Sequence, residues 1–342
     1  MRILGTFILI ILLLTCSLVY ADYAWFGGFD TTGNENSAGV ALKSNGDLYY
    51  VTFNAGASKF MYVQNALTSP VATQISTETL PAGRGLNDVE LDSSGNIYIS
   101  GTGDDAATTV LKKFNAAPAH TQAWSATDTR LNGIELMNDS TLAVAMSWGN
   151  IKFKNTSDGL DNATIPIPDG TNYHRSIALN TANNDLYIGK NGNNSGACMK
   201  IMSGGTPSNL SGYSLAADDL FSPYGLNSAT GTATFPIDFD TTNNRLLLAD
   251  YYDVNFDPTA GIRVYSISGS GVSTIFTLVK FIDTGYNLQT IGNVYGIAYA
   301  RCTINSIPSD VIAAAVGYGQ PPTSYRIDFW ADPPGIEDWV LY

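Results

Sequence analysis

Several groups of residues in this sequence are of types that could do chemistry. The stretch ADYYDVNFDP brings Asp250, Asp253, Asn255 and Asp257 close together, and oxygen ligands on one loop could hold calcium. Their spacing is not the Asp-x-Asp-x-Asp-Gly order of an EF-hand loop, so a solvated acidic loop is the competing reading. Arg84, Arg130 and Arg175 each precede a run of alternating apolar residues. Three guanidinium groups at one place could attract an anion or a carboxylate, or each could pair with an acid such as Asp88. Asn87 and Asn132 stand on the same stretches, where an amide can ligate a cation or hydrogen-bond its own backbone. Of the two histidines, His174 lies at the start of such a run and could act as a base. His120 falls in a Pro/Ala-rich connection and reads as surface. The chain has no phosphate-binding Gly loop, no nucleophile elbow and no CxxC pair.

The elements that must position these residues repeat. A strand, a Gly/Asn/Asp turn and a second strand recur as SAGVALKSNGDLYYV, LNDVELDSSGNIYIS and LNGIELMNDSTLAVA, then as HRSIALNTANNDLYIGK, FPIDFDTTNNRLLLADYY and, more weakly, VYGIAYARCTINSIPSDVIAAAV. Apolar alternation leading into a Ser-Asn-Gly-Asp or Asn-Asn-Asp turn is the sequence form of a β-hairpin. Val40, Val89, Ile134, Ile177, Ile237 and Ile297 take equivalent places, about 51 residues apart. That period fits a propeller blade, because a four-stranded sheet cannot cover both of its faces alone. The intervening stretches supply outer strands: 59–64, 109–115, 151–154, 199–202, 262–267 and 326–330. The expectation is an all-β chain, a six-bladed β-propeller of four-stranded antiparallel blades. A β-sandwich or a right-handed β-helix is the alternative that many short strands allow.

Composition narrows the function. With 17 Lys and Arg against 30 Asp and Glu, the formal charge is −13, which excludes a protein that grips nucleic acid through a basic face. Only 14% of residues are charged, where about 25% is usual, so the polar surface is built from Asn, Ser, Thr and Gly. The apolar run 3–19 after Met1-Arg2, ending in Val19-Tyr20-Ala21, predicts a secretory signal peptide over 1–21 and a single domain over 22–342. Secretion to an extracellular or periplasmic space follows, with no transmembrane segment after cleavage. Cys16 would leave with the signal, and the pairing of Cys198 and Cys302 cannot be deduced from their positions.

The element Asn-Asp-Val-x-x-Asp-x-x-Gly-Asn-Ile-Tyr, here Asn87 to Tyr98, resembles the NHL-type and gluconolactonase-like (senescence-marker group) six-bladed propellers. Arg130-Leu131-Asn132-Gly133-Ile134 is similar to the second Asn motif of that group. The resemblance implies a divalent cation, usually calcium, at the mouth of the central channel, held by a Glu, two Asn and an Asp from different blades, with the Asp or its neighbour as the base for lactone hydrolysis. Asn87 and Asn132 match the two Asn. The equivalent positions in the other blades are Ala38, Arg175, Phe235 and Tyr295, so the resemblance implies a degenerate metal site. Calcium is the one cofactor it suggests, with Asn87, Asn132, Asp250, Asp253 and Asp257 as candidate ligands.

Two classes of function follow. One is an exported, non-enzymatic propeller that binds a ligand or partner, or packs into an extracellular assembly. The other is a calcium-dependent, lactonase-type hydrolase. Loops entering the inner strands of a propeller converge on one face, which would bring Asn87, Arg130, Asn132, His174, Arg175, Phe235 and Tyr295 together. Amides, guanidinium groups and rings in that mixture suit a polar small molecule, a glycan or an acidic peptide better than a bare cation.

Overall fold

A computed structural model describes residues 23–332, except 34, 55, 82–83, 103–108, 147–148, 168–172, 192–198, 218–235, 250–260, 284–291 and 319–323. The expected signal segment, Phe235, Cys198 and the acidic cluster Asp250, Asp253 and Asp257 lie outside these residues. The described residues form six four-stranded antiparallel sheets, and no helix among them is long and apolar enough to cross a membrane.

An N-terminal strand, β1 (Ala24–Asp30), is followed by five blades built in chain order. Blade 1 is β2 (Ser37–Leu42), β3 (Leu48–Thr52), β4 (Ser58–Gln64) and β5 (Val71–Glu78). Blade 2 is β6 (Leu86–Leu91), β7 (Ile97–Gly101), β8 (Val110–Phe114) and β9 (Gln122–Ala126). Blade 3 is β10 (Leu131–Asn138), β11 (Thr141–Met146), β12 (Asn150–Asn155) and β13 (Asp161–Pro166). Blade 4 is β14 (Tyr173–Asn180), β15 (Asp185–Asn191), β16 (Met199–Ser203) and β17 (Ser214–Ala217). Blade 5 is β18 (Ile237–Asp240), β19 (Arg245–Ala249), β20 (Gly261–Ser268) and β21 (Ile275–Asp283). Blade 6 is β22 (Gly292–Ile304), β23 (Ile307–Tyr318) and β24 (Ser324–Asp332), with β1 as its fourth strand. Each inner strand touches the next, and β22 returns to β2. The six predicted inner hairpins are therefore the inner pairs of six blades. The six predicted outer stretches coincide with the third strands.

The core is divided among the blades rather than gathered at one centre. Each junction between neighbouring blades holds its own apolar cluster, from Val40, Leu48 and Ala313 between blades 1 and 6 to Leu247, Ile262 and Ile312 between blades 5 and 6. Strand β3 shows why its sequence is a continuous apolar run: Leu48 and Tyr50 face blade 6, while Tyr49 and Val51 face blade 2. A strand buried on both faces loses the polar half of its alternation.

Asp and Asn side chains fold the inner hairpin turns and then reach onward. Asp92 accepts from the N–H groups of Ser94 and Asn96, an Asx-type turn, and Ser93 at that turn donates to Asp139 of blade 3. Asn243 of blade 5 donates to both Asp240 and Asp310, the latter on blade 6. His120, read from sequence as a surface residue, is half-buried: its Nε2 lies 3.1 Å from the Tyr49 hydroxyl, and its ring packs against Tyr62. Cys302 is a buried thiol that donates to the Lys43 carbonyl at 3.4 Å.

At certain positions neighbouring inner strands approach so closely that no side chain fits between them. A Cβ on Gly133 would lie 2.5 Å from Cα of Ser176 on the next blade, and one on Gly296 would lie 2.9 Å from the Ala38 carbonyl carbon. Backbone cannot rotate aside as a side-chain tip can. Gly133→Val is therefore expected to lower stability by roughly 3 kcal/mol, the upper end of ordinary overpacking. A urea unfolding midpoint equal to that of the parent protein would contradict this packing.

Candidate functional site

Five of the six inner strands carry a β-bulge near the end where the chain enters them, at Ser37/Val40, Leu86/Asp88, Leu131/Ile134, His174/Ser176 and Val294/Gly296. A bulge breaks strict alternation and re-aims the flanking side chains. At this end of the axis lies a cavity of about 420 Å³. Blades 1, 2, 4, 5 and 6 wall it, through Asn36 and Phe53, Asn87 and Asp88, Arg175 and Ser176, Pro236, and Tyr295.

Of the residues expected at the channel mouth, Asn87, Arg175 and Tyr295 line this cavity. Asn132 and His174 are buried and are not among its lining residues. Arg130 is exposed, at a left-handed backbone position (φ 57°), and does not line it either. Phe235 directly precedes the wall residue Pro236 but lies outside the described residues.

The two Asn side chains knit neighbouring blades together. Asn87 Nδ2 donates to Thr102 Oγ1, to the Leu131 carbonyl and to Asn132 Oδ1. Asn132 Oδ1 also accepts from Thr102 Oγ1, while its Nδ2 donates to the His174 carbonyl at 2.6 Å. His174 Nδ1 lies 3.2 Å from the Met146 carbonyl. A relay of amides thus runs from blade 2 through blade 3 to blade 4.

That relay tests the implied calcium. Asn132 is 1% exposed with both ends of its amide engaged by protein. Ala38, Arg175 and Tyr295 offer no carboxylate, and calcium takes six to eight oxygens. Among the described residues no three His, Cys, Asp or Glu side chains converge as a metal-holding group. The donor set does not fit calcium, and Asn87 and Asn132 act as inter-blade clasps.

What sequence reasoning missed is a set of carboxyl groups in the channel. Asp88 and Glu90 on β6, Glu135 on β10 and Asp238 on β18 interact electrostatically. They come from blades 2, 3 and 5, of which 2 and 5 stand opposite in the ring, and they lie near enough to influence one another. Their oxygens take up backbone N–H groups of the inner strands. Asp88 accepts from Val89 at 2.9 Å and from Ile134 of blade 3 at 3.0 Å. Asp238 accepts from Phe239 and from Tyr299 of blade 6, and Glu135 from Leu179 of blade 4.

Burial is the largest influence on the ionisation of all four. It pushes Asp88 up to about 7 against the two N–H bonds, with the charge of Asp238 adding to the rise. Asp238 is likewise raised to about 7 by burial, with help from Asp240. Glu90 is held well above the usual carboxylate range by burial and then by Glu135, Asp88 and Asp238. Glu135 is held there by burial and then by Asp238 and Asp88.

The sequence did carry a signal for three of these groups. Aligned on the six equivalent apolar positions, the next residue is Ala41, Glu90, Glu135, Ala178, Asp238 and Ala298. Three positions hold acids and three hold alanines, where a solvated strand face would show no such restriction. No family model matches the chain and no curated protein is similar to it, which leaves the six-bladed β-propeller itself as the classification that the structure supports.

Proposed function

We propose that this chain is an exported, non-enzymatic β-propeller that binds a polar organic ligand, such as a sugar or an acidic peptide, at the mouth of its channel. The observation that carries this reading is the cavity of about 420 Å³ where side chains from five blades converge. Its size lies in the range of small-molecule sites, about 300 to 1,000 Å³. Its walls combine the amides of Asn36 and Asn87, the Arg175 guanidinium, the Asp88 carboxyl and the rings of Phe53 and Tyr295. Amides and guanidinium supply directional hydrogen bonds while rings supply stacking area. The Asn motifs and the blade period further support a distant relation to the gluconolactonase-like propellers in which the metal site has degenerated.

Screening soluble glycans and acidic peptides, then remeasuring any hit on variants, tests the reading. Arg175→Ala and Tyr295→Ala are each expected to cost roughly 1 to 3 kcal/mol of binding, the value of a well-made buried contact. Affinity unchanged in both variants would move the site away from the channel mouth. Calcium-dependent turnover of simple lactones, abolished by Asn87→Ala or Asn132→Ala, would replace the binding reading with the hydrolase.

A further inference from the structure

Among the described lining residues, the cavity wall holds one basic side chain, Arg175, and one acidic side chain, Asp88. Asp88 stands on β6. Asp238 on β18 raises its pKa from the opposite blade, and Asp88 in turn raises those of Glu90 on its own strand and Glu135 on β10. Against β6 on its other side, β2 presents Gly39 and Ala41, which carry no charge, and β7 pairs Asp88 with the neutral Ser100. From β14 and β22 the cavity receives Arg175 and Tyr295. Glu90 lies two residues further along β6 than Asp88, about 7 Å at the rise of a strand. The acids therefore run inward from the cavity as a column.

The charge of this wall depends on protons. With Asp88 protonated, its O–H is a donor and it places no negative charge beside Arg175. With Asp88 ionised, its negative charge opposes that of Arg175 in a partly enclosed space where charges are poorly screened. The Asp88 carboxyl cannot swing away from its place, because its two oxygens are fixed by the N–H groups of Val89 and Ile134.

We propose that the cavity is a proton-linked anion site: a ligand carboxylate binds between Arg175 and a protonated Asp88, and is released when the channel carboxyl groups ionise. The proposal rests on the reading of the cavity as a ligand site and narrows its ligand to an acidic one. No covalent step is involved. Binding draws Asp88 into its protonated form, so most of a proton is taken up at pH 8 and little at pH 6, and it returns to solvent on release. The apparent affinity scales with the fraction of protein in the protonated form. Because Asp88 titrates near neutrality, that fraction falls about tenfold between pH 6 and pH 8.

The test uses the full chain and a panel of small carboxylates that includes glucuronate, with glucose as the neutral counterpart of the same ring. Calorimetric titrations at pH 6 and pH 8, in two buffers of different ionisation enthalpy, read affinity and protons exchanged. Carboxylate binding is expected to be about tenfold tighter at pH 6, with net proton uptake, and glucose binding is expected not to change. Asp88→Asn removes the ionisation and should abolish the pH dependence. Glu135→Gln lies deeper in the column, keeps an acceptor for the Leu179 N–H, and should weaken the dependence without touching the ligand.

Carboxylate affinity that is constant or rises with pH would overturn the proposal, as would binding of glucose alone. Persistence of the full dependence in Asp88→Asn would do the same. In each case the binding reading stands if some glycan or peptide still requires Arg175 or Tyr295. Failure of every carboxylate, glycan and peptide to bind would sink both.

Discussion

Folding stability is expected to be greatest between about pH 4 and 5 and to fall on the order of 3 to 5 kcal/mol as the pH is raised to 8. The cause is the channel column. A carboxyl group whose pKa is higher in the folded than in the unfolded chain contributes stability that is complete below the unfolded value. That stability is lost as pH climbs through the folded one. For Asp88 and Asp238 the window runs from about 4, where the unfolded chain ionises, to about 7. Glu90 and Glu135 carry the loss further, since both lie well above the usual range. A rise from 3.8 to about 7 in one group corresponds to roughly 4 kcal/mol. The four groups share one space and do not add.

Acids of the opposite kind set the lower limb. Burial acts to raise Asp128, but hydrogen bonds from Lys152 and Lys154 outweigh it and hold the group below its ordinary value. Asp161 is held down by the same two lysines against the same effect of burial. Their contribution is present above about pH 4 and disappears as pH falls through their folded values. Urea unfolding midpoints from pH 4 to 9 check the profile. Glu135→Gln should raise the midpoint at pH 8 and flatten the curve, and a parent protein more stable at pH 8 than at pH 5 would refute the account.

The inner hairpins were legible because two local signals coincide there. Asx-forming residues such as Asp92 and Asn183 make the turn, and buried alternation flanks it. The fourth strands were not legible. In β9, Gln122, Ala123 and Ser125 are exposed, so no periodic burial marks the strand, and its identity comes from pairing with β8. The channel acids escaped for another reason. Counting residues from the end of an inner strand assumes unbroken alternation, and the bulge at Leu86/Asp88 breaks it where Asp88 turns to the cavity wall. Asn87 and Asn132 were legible as residues of the channel end. Whether an amide is free for a ligand or engaged by the next blade depends on contacts 45 and 42 positions away, which no local pattern records.

Removing residues 24–30 is expected to abolish the folded ring. Blade 6 is closed by β1, which pairs with β24 from Ala24 opposite Ala331 to Asp30 opposite Arg326. The strand is hydrogen-bonded into blade 6 and continuous in sequence with blade 1, so it ties the two ends of the described chain together. Its aromatic residues serve two cores at once: Trp25 packs into the cluster between blades 5 and 6, while Phe26 and Phe29 pack into the cluster between blades 6 and 1. Phe26 lies 5.8 Å from the Phe329 ring, and Phe29 lies 6.1 Å from Phe329 and 6.5 Å from Tyr50. Three large, partly buried side chains, each contributing roughly 1 to 2 kcal/mol, together are a sizeable share of the net stability of a domain, about 5 to 15 kcal/mol. Deletion would also bare the edge of β24, a template for pairing between chains. The shortened chain should therefore aggregate or melt far below the parent, and a peptide of residues 23–32 added in trans should restore a cooperative transition. Phe29→Ala provides the graded version, with an expected loss of about 3 kcal/mol. A deletion variant with the parent's melting temperature would show that the ring closes without this strand.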